Sequence, residues 1–168
     1  MSRAGDITAR IAGFTNDSIT DGPGLRFTIF FQGCPHKCPF CHNPETHDPN
    51  GGQTMTIEEI AQLAAQNPLL DGVTISGGEP FLQPDALGAL VERLSRELPI
   101  IVYTGYLWED IVTDPALHQI LQHLTHVVDG RYIHELRSLA LLFRGSANQR
   151  IIDVQKSLET GETIITEL

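Results

Sequence analysis

The sequence predicts an α/β protein whose mostly parallel sheet forms an open, partial (β/α) barrel. Short apolar runs alternate along the chain with segments whose apolar residues recur at helical spacing. No hairpin signal separates these runs, so we expect parallel strands joined by right-handed crossovers. We count about four such units, fewer than the eight that close a barrel, and we expect residues 1–168 to form one domain.

The first unit is a strand followed by a long loop and a helix. Leu25 to Phe31 is rich in β-branched and aromatic residues, which predicts a buried strand. Proline, glycine and asparagine residues over 43–53 predict an irregular loop. Thr56 and Glu59 then form the pattern of a capping box, which predicts that a helix begins there.

Two further units repeat this order. Gly72 to Ser76 predicts a strand, and Pro84 suits the first turn of the helix that follows it. Pro99 to Thr104 predicts the next strand, and Asp114-Pro115 predicts the start of another helix.

The last part of the chain is less regular. His126 to Asp129 predicts the fourth strand of the series. Beyond it we expect a short helix over Tyr132 to Leu142, a strand over Ile151 to Val154 and a final strand over Thr163 to Leu168.

Composition narrows the possible functions. The chain is 41% apolar and 19% charged, as is usual for globular proteins, and its net charge of -10 disfavours binding to nucleic acid. No stretch approaches the roughly 20 apolar residues that span a bilayer, and the first ten residues lack the apolar core of a secretory signal. We therefore expect a cytoplasmic protein with neither nucleic acid nor a membrane as its partner.

All three cysteines, Cys34, Cys38 and Cys41, lie within eight residues in a C-x3-C-x2-C pattern. Their odd number and their crowding exclude a disulfide framework and suggest thiolates around a metal centre. A 4Fe-4S cluster normally takes four cysteines, so three leave one iron open to a non-protein ligand. The spacing alone also allows a structural zinc site with His36 or His42 as the fourth ligand.

A second motif, Gly77-Gly78-Glu79-Pro80, follows the next predicted strand. Glycines at the end of a strand let the main chain approach a ligand closely, and their carbonyls can accept a hydrogen bond from an ammonium group. Glu79 could pair with the same ammonium by a charge-assisted bond. A plain turn between strand and helix, with Pro80 as the breaker, is the alternative.

The two motifs together resemble those of the radical S-adenosylmethionine superfamily. The loop from Gly33 to Cys41 is similar to its cysteine motif, and residues 77–80 are similar to its GGEP motif. The resemblance implies the partial barrel of that superfamily, and it implies that S-adenosylmethionine chelates the open iron through its amino and carboxylate groups. The residues that it assigns to S-adenosylmethionine are Phe40, His42, Gly77, Gly78 and Glu79.

Other segments resemble the activating enzymes of glycyl radical enzymes. Residues 21–26 (DGPGLR), followed by FFQGC, are similar to the start of that family's domain. Residues 104–106, 128–132 and 143–150 resemble the activators of anaerobic, class III ribonucleoside-triphosphate reductase. The further residues that the resemblance assigns to the cofactor are Thr104, Asp129 and Arg131. It assigns Asp21, Gly22, Pro23 and Gly24 to the glycine loop of the partner, although a simple Gly/Pro turn is the alternative there.

The resemblance also implies a reaction. Reduced flavodoxin or ferredoxin supplies one electron, and S-adenosylmethionine is cleaved to methionine and a 5'-deoxyadenosyl radical. This radical removes hydrogen from the Cα of one glycine of the reductase. The sequence leaves two alternatives open: an activator of another glycyl radical enzyme, such as pyruvate formate-lyase, and a noncatalytic zinc-binding adaptor.

Overall fold

One seven-stranded sheet organises the fold in the computed structural model, which describes residues 7–168. The strands are β1 (Thr8–Ser18), β2 (Arg26–Phe31), β3 (Gln53–Thr56), β4 (Gly72–Gly77), β5 (Ile100–Tyr103), β6 (His126–Asp129) and β7 (Arg150–Asp153). The helices are α1 (Ile57–Ala65), α2 (Pro84–Leu94), α3 (Trp108–Val112), α4 (Pro115–Leu121) and α5 (Val154–Thr160).

The strands lie in the order β3-β1-β2-β4-β5-β6-β7. The middle four, β2, β4, β5 and β6, are parallel to their neighbours in this series, and antiparallel pairs extend the sheet at both sides. The sheet is open because β3 and β7 stand at opposite ends of this order. The predicted α/β class with an open run of parallel strands is therefore confirmed. That residues 1–168 form one domain stays a prediction, and residues 1–6 lie outside the described part of the chain.

The two faces of the sheet have different roles. Phe27 and Ile29 of β2 lie in register with Val73 and Ile75 of β4, and all four side chains belong to the main hydrophobic core. That core also holds the buried faces of α1, α2 and α4, including Ile60, Leu87, Leu90 and Ile120. Because alternate residues of a strand point to opposite faces, Thr28, Phe30, Thr74 and Ser76 face the other side of the sheet. This second face carries the cavity described below.

Most of the predicted helix starts are confirmed. The Thr56 hydroxyl accepts from the Glu59 N–H while the Glu59 carboxylate accepts from the Thr56 N–H, which completes the predicted capping box of α1. Pro84 lies in the first turn of α2, and the Asp114 side chain caps α4. Among the described residues, no helix is both long and apolar enough to cross a membrane.

The tail was predicted correctly only in part: the strand expected over Ile151 to Val154 is β7 (Arg150–Asp153), whereas the helix and the final strand were predicted wrongly. Residues 132–142 form only a short 3-10 helix at His134–Leu136, and the end of the chain pairs with the sheet through a single isolated bridge, Ile152 to Ile165. Helix α5 (Val154–Thr160), which Asp153 precedes and Gly161 follows, was not predicted from the sequence. Both ends of α5 have a residue type typical of helix caps. The Asp153 side chain accepts a hydrogen bond from the Lys156 N–H, and Gly161 has a left-handed conformation with φ of 73°.

Candidate functional site

The three cysteines lie on a loop that leaves the carboxyl end of β2. Two hydrogen bonds hold the start of the loop: the Gly33 N–H donates to the Thr46 carbonyl at 2.6 Å, and the Cys34 N–H donates to the His47 carbonyl at 3.2 Å. The Glu79 N–H donates to the Gly33 carbonyl at 2.8 Å, which joins this loop to the end of β4. The cysteine loop and the GGEP segment are therefore neighbours, as the two motifs predicted.

A cavity of about 730 Å³ opens between these segments, a size typical of sites for small molecules and cofactors. It lies at the carboxyl ends of parallel strands, where α/β proteins commonly bind ligands. The predicted site residues that line it are Cys34, Cys38, Cys41, His42, Gly77, Gly78, Thr104, Arg131 and Asp21. The predicted site residues outside its lining are Phe40, Glu79, Asp129, Gly22, Pro23 and Gly24.

The thiols fit a 4Fe-4S cluster. All three are free, each is partly exposed, and the chain contains no fourth cysteine. Burial raises the pKa of the Cys34 thiol, while the N–H groups of His36 and Lys37 act in the opposite direction. Binding to iron would supply the positive charge that favours the thiolate.

A cluster and a single metal ion need different geometries. Within residues 7–168, no group of three His, Cys, Asp or Glu side chains is arranged to hold one metal ion. A 4Fe-4S cluster does not require such convergence, because each thiolate binds a different iron.

The two glycines of the GGEP segment are required by close main-chain packing. Gly77 has φ of 110°, and a Cβ there would overlap main-chain atoms of Phe31. A Cβ at Gly78 would overlap the carbonyl of Gly33. The close packing is against the protein's own main chain at the start of the cysteine loop, and approach of the two glycines to a ligand stays a prediction.

Glu79 lies beneath the cysteine loop and is fully buried. One carboxylate oxygen accepts from the Phe81 N–H at 3.0 Å and the Thr104 hydroxyl at 2.8 Å. The other accepts from the Gly105 N–H at 2.8 Å and lies 2.7 Å from Nε2 of His36. All of these partners belong to the protein, and direct pairing of Glu79 with an ammonium group stays a prediction.

Aromatic side chains connect the cysteine loop to residues 132–134. Phe40 is 69% exposed and stacks on His134 with ring centroids 4.2 Å apart. His42 lies 4.7 Å from Tyr132, measured between ring centroids. The sequence analysis missed Tyr132 and His134, because their segment was predicted as a helix and its contacts with the loop are long-range.

Asp129 and Arg131 have different environments. The Asp129 carboxylate is fully buried, accepts from the Trp108 N–H at 2.8 Å and is paired with Arg150. Arg131 lines the cavity. Of these two residues, Arg131 is therefore the one positioned to meet a ligand in this conformation, and a contact of Asp129 with the cofactor stays a prediction.

The DGPG segment forms a bend, and the side chain of Asp21 reaches the cavity. The Asp71 carboxylate accepts from the Leu25 N–H at 2.8 Å, and a Cβ at Gly24 would overlap it. The Thr74 hydroxyl donates to the Asp21 carbonyl at 2.8 Å. These contacts fold the turn back against the sheet, so that Asp21 lines the same cavity as the cysteines although it precedes β2.

Tyr103 forms part of the cavity wall and was also missed by the sequence analysis. Its hydroxyl donates to the Phe143 carbonyl at 2.6 Å. Burial, together with the negative charge of Asp21, raises the pKa of Tyr103 well above its ordinary value. Tyr103 therefore acts here as a neutral hydrogen-bond donor.

Comparison with known proteins gives consistent matches. Residues 20–152 match the family model described as "4Fe-4S single cluster domain". The chain is 39% identical over 141 residues to an anaerobic ribonucleoside-triphosphate reductase-activating protein of Salmonella typhi, covering 78% of this chain and 90% of the relative. The Escherichia coli K12 protein of the same name is 37% identical over 143 residues, with the same coverage.

Two further matches are to proteins with other names. A pyruvate formate-lyase-activating enzyme of Clostridium pasteurianum is 37% identical over 137 residues, which cover 75% of this chain and 56% of the relative. The crystal structure of QueE from Escherichia coli superposes with a TM-score of 0.50 at 16% identity, over 75% of this chain and 72% of that one. The second likeness concerns the fold alone.

Proposed function

Because the chain belongs to the family of 4Fe-4S anaerobic ribonucleoside-triphosphate reductase-activating proteins, we propose that it generates the glycyl radical of that reductase from S-adenosylmethionine. One observation carries the proposal: three free cysteines share a cavity with the GGEP glycines at the ends of parallel strands. This arrangement has the thiolates for a cluster with one open iron and adjacent space for a small molecule.

The cysteines hold the cluster, and the cavity beside them holds S-adenosylmethionine. Bound at these thiolates, a 4Fe-4S cluster supplies a low-potential electron and an open coordination position, as reductive cleavage of the sulfonium requires. Gly77 and Gly78 have no side chains that would fill the cavity they line. Thr104 and Arg131 add polar groups to the same wall. Phe40 and His42 are the proposed neighbours of the adenosyl part.

The remaining wall of the cavity is proposed to receive the glycine loop of the reductase. Asp21 lines it, and the turn from Asp21 to Gly24 is held in place by Asp71 and Thr74. A glycine placed between this turn and the cysteine loop would lie beside the adenosyl group. The short distance that hydrogen transfer needs would then be set by the protein rather than by random encounter.

Two further parts of the proposal concern the setting of the reaction. We propose reduced flavodoxin or ferredoxin as the electron donor, because a one-electron reductant of low potential is needed. We propose the cytoplasm as the compartment, because it keeps thiols such as these three reduced and free for iron.

The proposal predicts a glycyl radical that depends on this protein. Anaerobically reconstituted protein, S-adenosylmethionine, a reductant and the reductase should together give a glycyl radical doublet in electron paramagnetic resonance, with release of 5'-deoxyadenosine. Asp21→Asn keeps the size of the side chain but removes its charge. We expect this variant to lower the radical yield by roughly 10-fold while deoxyadenosine release without the reductase persists.

Two results would contradict this account. If reconstituted protein bound one zinc per chain and released no deoxyadenosine, the noncatalytic adaptor would be the better description. If deoxyadenosine formed but the doublet appeared only with pyruvate formate-lyase, the partner would be wrong. That second candidate is favoured by the match to the Clostridium pasteurianum enzyme, although the aligned region covers only 56% of that relative.

A further inference from the structure

The middle of the cysteine loop is joined to the sheet by one buried side chain, His36. Its ring is 4% exposed, and its Nε2 lies 2.7 Å from the carboxylate of Glu79, which is wholly buried. Because a carboxylate only accepts hydrogen bonds, Nε2 of His36 carries the proton in this contact. His36 occupies the sequence position midway between Cys34 and Cys38.

The slot that holds the ring is shaped to fit it. A Cβ on Gly105 would overlap the imidazole of His36, so glycine at this position leaves room for the ring. The aromatic ring of Tyr106 also packs on the imidazole of His36, in an edge-to-face arrangement with the two ring centroids 4.6 Å apart. The ring is therefore fixed by a hydrogen bond and by contacts with two consecutive residues that follow β5.

Glu79 links this slot to two strands. It follows β4, and its carboxylate accepts from the Thr104 hydroxyl and the Gly105 N–H, which follow β5. A buried carboxylate with several donors is held rigidly, because loss of any donor leaves an acceptor unsatisfied. The contact with His36 therefore ties the cysteine loop to the part of the sheet that borders the cavity.

Other contacts of the loop segment are weaker or more exposed. Among residues 35–41, further hydrogen bonds join the Cys41 N–H to the Cys38 carbonyl at 3.2 Å and the Asn43 N–H to the Cys41 sulfur at 3.4 Å. The N–H groups of His36 and Lys37 are directed at the Cys34 sulfur. All of these contacts stay within or next to the loop. Phe40 stacks on His134 but remains largely exposed.

We propose that His36 is a positioning residue that, with Glu79 and Gly105, sets the place of Cys34 and Cys38 relative to the cofactor cavity. This inference rests on the proposed function, since it assumes a cluster on the three thiolates. It also gives Glu79 a role that acts through the cysteine loop. Because Nε2 of His36 is hydrogen-bonded to Glu79, this atom is not free to bind a zinc ion.

The test measures how firmly the protein retains its iron. His36→Leu fills the slot without a donor, whereas the side-chain amide of His36→Gln can donate to Glu79 from near the position of Nε2. Each variant is reconstituted anaerobically and then exposed to an iron chelator, and the loss of cluster absorbance is followed. We expect His36→Leu to lose iron roughly 10- to 100-fold faster than the wild type, and His36→Gln to recover most of the difference.

Two controls separate this role from a general effect on folding. His118→Leu alters an exposed histidine of α4 and should lose iron at the wild-type rate. Gly105→Ala should displace the imidazole of His36 while leaving histidine at position 36. We therefore expect this variant to lose iron about as fast as His36→Leu. Circular dichroism melts of the iron-free proteins identify any variant that fails to fold, and Gly105→Ala then decides the question if His36→Leu is that variant.

The outcomes distinguish this inference from the function on which it rests. If folded His36→Leu and Gly105→Ala keep iron as firmly as the wild type, the positioning role is wrong and the proposed function stands. If His36→Gln is as labile as His36→Leu, the hydrogen bond to Glu79 is not what matters and the inference is overturned. If the wild type itself assembles no four-iron cluster, the proposed function fails.

Discussion

Replacement of any one of Cys34, Cys38 and Cys41 by alanine should reduce cleavage of S-adenosylmethionine to background. Each thiolate is proposed to bind a different iron, and the chain has no spare cysteine to take its place. The fold should persist, because the three side chains are partly exposed on a loop outside the hydrophobic core. We expect the unfolding free energy of the iron-free variants to change by less than about 1 kcal/mol.

The measurement combines iron content, deoxyadenosine release and a urea melt for each variant. Lys37→Asn is a matched control from the same loop: Lys37 is exposed, it is not a predicted ligand, and asparagine tolerates its φ of 50°. This control should keep its iron and its activity. Turnover retained by any one of the three alanine variants would contradict the assignment of three ligands.

Gly77→Ala should produce the largest loss of stability among single substitutions near the site. A methyl group there would overlap main-chain atoms of Phe31, which is the partner of Gly77 in the parallel pairing of β2 with β4. The positive φ of 110° adds backbone strain for any residue with a Cβ. Overpacking and strain together should lower the unfolding free energy by about 3 kcal/mol or more.

The appropriate control is Gly88→Ala in α2. A Cβ at Gly88 would make an ordinary contact of 3.6 Å with Ile120, and alanine favours the helix by about 0.5–1 kcal/mol. Urea unfolding of the iron-free proteins should therefore place the two alanine variants on opposite sides of the wild type. An unfolding midpoint for Gly77→Ala equal to that of the wild type would show that β4 can shift away from Phe31.

The sequence predicts the central strands well because those strands are buried on both faces. β2, β4, β5 and β6 are short apolar runs that end at glycine or polar residues, a pattern typical of parallel strands. β1 and β3 were not predicted. β1 contains Gly13, several polar residues and two register irregularities, and β3 is the four-residue edge strand QTMT, so neither has a clear alternation.

The site was predictable where its residues are close in sequence. The three cysteines fall within eight residues, and the glycines are adjacent to one another. The contact of His36 with Glu79 joins residues 43 positions apart, and the pairing of Asp129 with Arg150 joins residues 21 positions apart. Such pairs depend on which strands become neighbours, and that depends on the tertiary fold rather than on any local pattern.

The most direct test of the account is the identity of the fourth ligand on the cluster. Reduced, reconstituted protein should be mixed with S-adenosylmethionine labelled with ¹⁵N in its amino group and ¹⁷O in its carboxylate, and examined by electron–nuclear double resonance. The account predicts hyperfine couplings from both labels, because three protein thiolates leave one iron free to bind them. Absence of both couplings, with a nitrogen coupling from a protein histidine in their place, would contradict it.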